Sequence, residues 1–360
     1  MTITKKLHDL GQSLWLDNIT REILDDGTLR RYIETLDVTG LTSNPTIFDE
    51  AIGKTAIYDK AIRQKADSGL SGEDLFLEIA LEDLRRAADL FKPEFDRSQG
   101  LDGWVSMEVS PLLASDTQGT IKAAMRIHAQ ANRPNLYVKI PGTPQGVPAI
   151  EAAIFAGVPV NVTLLFSREQ YLAVAEAYMR GIERRIAAGL DPRISSVASV
   201  FVSRWDRSVA DKAPKELVNR LGIAIMQRTY RAHCEFVAGQ RWRDLEAKGA
   251  RKQRMLWAST GTKDPSAPAD MYVSALAAPD TIDTMPEKTL LAFAQKGHLE
   301  GVMSKDGGDC EKVLASFGAA GIDIDALAVQ LQQEGAASFV KSWSELMKRI
   351  ADKSAALANA

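Results

Sequence analysis

The sequence predicts an α/β protein, a (β/α)8 barrel of the TIM type with additional helices and a helical appendage at its carboxyl end. Three observations carry this reading. Eight short apolar runs alternate with amphipathic stretches along the 360 residues. Most intervals between the runs have the length of one strand–helix unit, which parallel pairing requires. No GxGxxG turn, GxxxxGK loop or internal repeat argues for an open nucleotide-binding sheet or a solenoid. No linker rich in Pro, Gly and Ser divides the chain, so residues 1–360 are expected to form one domain, with 305–360 as a helical extension packed on it.

The elements follow in order. Residues 13–17, Ser-Leu-Trp-Leu-Asp, read as a first strand ending in an acid, and Thr20 can N-cap a helix running toward Tyr32. Residues 38–45 form a second strand that runs into a polar loop. Helical patterns follow around 50–66 and over 72–91, where Leu75, Ile79, Leu84, Ala88 and Phe91 keep close to one face. The third strand, 104–109, carries an acid among apolar residues. After a helix over 117–131 comes the fourth strand, Leu136-Tyr137-Val138-Lys139-Ile140, ended by Pro-Gly. A short helix (147–156), a fifth strand (158–166) and a long helix from Ser167 to about residue 188 continue the alternation. The sixth strand spans 195–204. A helical region over 214–239 and a basic segment over 241–254 lead to the seventh, 255–260, and the eighth is 281–284, before a helix over 287–294. In the tail, Leu327, Leu331, Phe339, Trp343, Leu346 and Ile350 form an apolar stripe, which suits packing on the barrel or a subunit interface.

Composition narrows the function classes. The chain is 45% hydrophobic and 25% charged, ordinary for a globular protein, and its net charge of −3 supplies no argument for nucleic acid or an anionic membrane. Cys234 and Cys310 are too few and too distant for a disulfide scaffold or thiolate metal site. His8, His128, His233 and His298 lack ligand spacing and read as capping or surface residues. The first eighteen residues hold no apolar run of signal-peptide length, and no stretch reaches the roughly 20 apolar residues of a membrane span. The expected compartment is the reducing cytoplasm, with no membrane or nucleic-acid partner. Monomer and homodimer are equally compatible with the sequence.

In a barrel of this kind chemistry is built at the carboxyl ends of the strands. The polar residues there are Asp17, Asn44, Glu108, Lys139, Asn161 with Thr163, Ser199 with Arg204, and Ser259 with Lys263. Lys139 is a poor solvating lysine. An ammonium in apolar surroundings loses hydration, its pKa falls, and the neutral amine attacks a carbonyl carbon. An edge-strand lysine that snorkels to water is the competing reading of that strand alone. Glu108 needs a partner among its Val and Met neighbours, and lysine on the next strand is the obvious one. Acid, base and amine converging on one mouth suit carbonyl chemistry through an imine.

These residues also resemble a known family. Leu41-Thr42-Ser43-Asn44-Pro45-Thr46 is similar to the asparagine-proline signature of transaldolases, and the Lys139 strand to their Schiff-base lysine strand. Asn161-Val162-Thr163-Leu164-Leu165-Phe166-Ser167 and Ser199-Val200-Phe201-Val202-Ser203-Arg204 resemble two further blocks. The four stand in the family's order within about residues 10 to 300. The length and the Trp-Ala-Ser-Thr-Gly-Thr-Lys block resemble the bacterial branch found in actinobacteria and in fusions with phosphoglucose isomerase.

The resemblance implies a transferase of the pentose phosphate pathway that moves a dihydroxyacetone unit. Lys139 would attack the C2 carbonyl of sedoheptulose 7-phosphate or fructose 6-phosphate, and Glu108, Thr163 and a water would handle protons of imine formation. Asp17 would take the proton from the C4 hydroxyl. The unit on Lys139 would pass to glyceraldehyde 3-phosphate or erythrose 4-phosphate. Asn44 and Asn161 would hold its hydroxyls, Arg204 and Ser199 the phosphate end, and neither metal nor cofactor is implied. The chain departs from the family pattern after the seventh strand, where a second phosphate-binding arginine is expected and Ser259-Thr260-Gly261-Thr262-Lys263 stands instead. Lys263 is the expected substitute, as a point charge. Competing functions are a fructose-6-phosphate aldolase-like enzyme releasing free dihydroxyacetone, a non-catalytic sugar-phosphate-binding barrel, and a helical interaction protein using the Phe339/Trp343 stripe.

Overall fold

The computed structural model describes residues 1–299 and 301–358. Eight parallel strands form the barrel: β1 (Gln12–Asp17), β2 (Val38–Thr42), β3 (Val105–Glu108), β4 (Leu136–Pro141), β5 (Val160–Leu165), β6 (Ser196–Phe201), β7 (Arg254–Ala258) and β8 (Thr281–Met285). Pairing runs β2-β1-β8-β7-β6-β5-β4-β3. The seam between β2 and β3 is bridged by backbone, Leu41 N–H donating to Trp104 O and Gly103 N–H to Thr39 O, both at 2.9 Å. The strands are apolar on both faces because helices cover the outside and side chains fill the inside.

Strand alternation decides what the interior holds. Along β4, Tyr137 and Lys139 point the same way, two residues apart. Tyr137 stacks on Trp104 with ring centroids 4.0 Å apart, and the Trp15 ring lies 6.1 Å from it. This aromatic layer fills the barrel below Lys139, so the amine opens only toward the carboxyl ends. Gly40 makes the layer possible: a Cβ there would lie 2.6 Å from the Trp15 ring and 2.8 Å from Trp104 O.

The helices start where the sequence supplies caps. Thr20, Asn44, Asp116 and Ser167 each accept from a backbone N–H in the first turn, and Ser167 with Gln170 forms a complete capping box. Several boundaries differ from expectation. The helix after β1 is two, Arg21–Asp25 and Thr28–Leu36, parted by Gly27 at φ 78°. The pattern around 50–66 is likewise two helices, Pro45–Lys54 and Asp59–Asp67. The sixth strand stops at Phe201, and Arg204 lies in the first turn of the helix Ser203–Val209. His233 is buried against Tyr171 Oη at 2.6 Å from its Nδ1, neither a cap nor a surface residue.

The tail is two helices, Cys310–Ala319 and Ile324–Ala358, and the second passes through Gly335 without a break. It lies across the carboxyl ends of the strands. Gln332 Nε2 donates to Gly142 O (3.0 Å) and Leu164 O (2.9 Å), Trp343 Nε1 to Glu73 Oε1 (2.9 Å), and Arg349 Nε to Asp49 Oδ1 (2.6 Å). Trp343, Leu346 and Ile350 are buried, each contributing on the order of 2 kcal/mol by leaving water. Among the described residues no single helix is long and apolar enough to cross a membrane.

Candidate active site

Strand alternation brings one inward residue from nearly every strand to a common cavity of about 740 Å³. Its wall includes Asp17 of β1, Thr42 of β2, Lys139 of β4, Thr163 of β5, Ser199 of β6, Ala258 of β7 and Thr284 of β8. Glu108 of β3 faces a smaller neighbouring cavity that Lys139 and Thr163 share.

Lys139 and Glu108 stand directly opposite in the β3–β4 register. Lys139 Nζ donates to Glu108 Oε1 at 2.5 Å and to Ser43 O at 2.7 Å, and Ser43 Oγ donates to Glu108 Oε2 at 3.1 Å. The amine is therefore bonded to two oxygens inside an apolar strand environment. Both side chains are less than a tenth exposed. Burial pushes the Glu108 carboxyl up, Lys139 and Ser43 act against that, and the Asp17 charge adds to it. A carboxylate so placed can exchange a proton with the amine it faces.

Asp17 ends β1 across the cavity. Thr42 Oγ1 donates to its Oδ1 at 2.8 Å and lies 2.7 Å from Thr284 Oγ1, so three strand ends share one hydrogen-bonded chain. Burial raises its pKa against the pull of Lys139, Thr42, Asn44 and Lys263. Asn44 caps its helix through Oδ1, which accepts from Ile47 N–H at 3.1 Å, and its side chain also faces the cavity.

Just beyond Thr163 the strand bulges. The β5–β6 register slips between Val162 and Leu165, and Leu164 takes φ 61°, a costly conformation for a bulky residue. The Gln332 amide bonded to Leu164 O holds this turn. Ser259, with φ 60°, is the second such residue at the mouth, and its hydroxyl lies 2.9 Å from Ser203 Oγ. Asn161 is fully buried one layer below the cavity wall, its Nδ2 donating to Ser106 Oγ at 3.2 Å and its Oδ1 accepting from Ser199 Oγ at 2.7 Å.

The far wall is cationic. Arg204 and Lys263 both face the cavity, and Arg204 lies over the Phe201 ring with Cζ 5.2 Å from its centroid. Among the described residues neither has a carboxylate within 4.0 Å. Loss of hydration and then the Arg207 charge lower the pKa of each; Arg204 adds to the effect on Lys263, while Glu334 opposes it at Arg204 and Asp17 at Lys263. Cations held together with no carboxylate in ion-pair contact give this wall a positive potential that favours anions. Arg207, Ser338 and Phe339 are not among the site residues expected from the sequence, where Phe339 stood only in the tail stripe. Arg207 carried a signal, being one helical turn beyond Arg204, whereas only the crossing of the C-terminal helix brings Ser338 and Phe339 to the cavity wall. Among the described residues no three His, Cys, Asp or Glu side chains cluster to hold a metal.

Fold and mouth together define a (β/α)8 barrel with a lysine–carboxylate pair at the carboxyl ends of its strands, facing a cationic wall. The sequence model of the family described as Transaldolase/Fructose-6-phosphate aldolase matches residues 14–350. The chain belongs to that family. A transaldolase from Saccharopolyspora erythraea is 42% identical over 96% of this chain and 96% of its own length. One from Thermobifida fusca is 41% identical over 98% of each chain, and one from Arthrobacter sp. 42% identical over 100% of this chain and 98% of its own. These relatives support a transaldolase function, within the transferase class of enzymes.

Proposed function

We propose that the chain transfers a dihydroxyacetone unit from a ketose phosphate, sedoheptulose 7-phosphate or fructose 6-phosphate, to an aldose phosphate through an imine on Lys139. The observation that carries the proposal is the 2.5 Å pair of Lys139 and Glu108, open on one side to a cavity with Asp17 on one wall and Arg204 and Lys263 on another.

The residues at the mouth would serve the steps as follows. Lys139 passes a proton to Glu108 and its nitrogen adds to the C2 carbonyl; the carbinolamine loses water as Glu108 returns the proton to the departing hydroxyl. The protonated imine is the electron sink. Asp17 takes the proton of the C4 hydroxyl, the C3–C4 bond breaks, and the aldose phosphate leaves while its phosphate is released from Arg204 and Lys263. The three-carbon eneamine then attacks the acceptor aldehyde, and the same steps run in reverse. Thr163 and a water held with Glu108 serve the proton transfers. Asn44 and Ser199 face the bound carbon chain and orient it; Asn161 supports Ser199 from beneath.

The test is a transfer assay with fructose 6-phosphate and erythrose 4-phosphate. Turnover that depends on the acceptor, with little dihydroxyacetone released in its absence, is the expected result. Release of free dihydroxyacetone at the same rate without acceptor would make the chain an aldolase.

A further inference from the structure

The C-terminal helix places one aromatic ring where two cavities meet. Phe339 lines the large cavity and also the small one, about 20 Å³, whose polar members are Glu108, Lys139 and Thr163. The remaining wall of the small cavity is apolar, with Pro45, Val109, Pro111 and Leu164 among its residues. It has room for one water-sized guest, and three polar groups to bond it. Phe339 is half-buried, and its helix is fixed on both sides of it, by Gln332 on one and by Trp343 and Arg349 on the other.

This position bears on the fate of the eneamine, and the inference rests on the function proposed above. Once the C3–C4 bond has broken, two routes are open. The eneamine carbon can attack an aldehyde, which is transfer. Otherwise that carbon takes a proton, water adds to the C=N carbon, the C–N bond breaks, and free dihydroxyacetone leaves with the Lys139 amine regenerated. The second route draws both a proton and a water from solvent. We propose that Phe339 determines which route is taken: its ring closes the Lys139–Glu108 chamber to bulk water, leaving space for the single water of imine formation while restricting protonation and hydrolysis of the intermediate. The C-terminal helix is thereby a specificity element for transfer over release.

The test compares Phe339→Ala, Phe339→Gln and Phe339→Leu with the wild type. Dihydroxyacetone release from fructose 6-phosphate alone and transfer to erythrose 4-phosphate are measured for each. Phe339→Ala and Phe339→Gln are expected to raise the release-to-transfer ratio roughly tenfold or more, and Phe339→Leu, which keeps an apolar cover, to hold it near the wild-type value. Because the ratio is internal to each protein, partial misfolding of one variant leaves it readable. A ratio unchanged in Ala and Gln, or both activities falling in proportion, would overturn the proposal. Wild-type protein that transfers nothing would instead sink the functional reading, and this inference with it.

Discussion

Among the described residues Lys139 and Glu108 are each other's only charged hydrogen-bond partners, and that interdependence shapes what substitution does. Removing one member of a buried pair strands the other, which costs about 3–5 kcal/mol. Stability and chemistry therefore fall together at this position. Lys263 is different, since among the described residues no carboxylate lies within 4.0 Å of it and it shares the cationic wall with Arg204. Lys263→Ala should raise KM for phosphorylated acceptors by about tenfold while changing kcat little, because a phosphate contact far from the reacting carbons serves binding. Steady-state kinetics with erythrose 4-phosphate checks this, and an unchanged KM would remove Lys263 from the site. The residues that the strand-end argument could name, Asp17, Thr163 and Ser199 among them, do share one cavity. Asn161 does not reach it, because its amide is used by Ser106 and Ser199, a preference that depends on neighbours in other strands.

At the level of elements, the strands were legible because each is a compact β-branched and aromatic run with a turn signal behind it. Their ends were less so. The sixth strand seemed to reach Arg204 because Val202 and Ser203 suit a strand, yet Val202 N–H donates to Ala258 O and Ser203 N–H to Ser259 O as the chain turns into a helix. The β5 bulge was invisible, since nothing in Thr163-Leu164-Leu165 announces a residue at positive φ. The long tail helix was readable as a stripe, but what it covers follows from tertiary contacts such as Gln332 with Leu164 O. Gly40 tests the packing of the β2–β3 seam. Gly40→Ala sets a methyl against the Trp15 ring and Trp104 O at the β2–β3 seam, where backbone cannot yield cheaply. Urea denaturation should show a loss of about 1–3 kcal/mol, and a midpoint equal to wild type would mean the seam is looser than described.

For the molecule as a whole, the pH dependence of stability has an identifiable source. Asp283 lies on the opposite face of β8 from Thr284, fully buried, with Thr260 Oγ1 donating to one oxygen at 2.8 Å. Burial, opposed only by Thr260, pushes its carboxyl from 3.8 up to about 7. The folded chain thus holds a proton that the unfolded chain gives up. The stability this supplies is complete below about pH 4 and is lost as pH rises through about 7. Asp83, pushed to about 6 chiefly by burial, acts in the same direction, and His233, lowered to about 4 chiefly by burial, acts in the opposite one. Comparison with Asp283→Asn cancels both. From about pH 5 to about pH 8 the variant should gain on the order of 2 kcal/mol relative to wild type in urea titrations. A pH-independent difference would show that Asp283 is ionised throughout.

The barrel class was readable from the sequence because eight runs at strand–helix spacing admit few other arrangements. The placement of the tail across the mouth was not, because a helical stripe does not say which surface it covers. The central claim is that Lys139 carries the substrate as an imine. Borohydride reduction of the intact protein with fructose 6-phosphate, followed by peptide mapping, tests it most directly. The expected result is a single reduced three-carbon adduct on the peptide containing Lys139; an adduct on another lysine, or none at all, would contradict it.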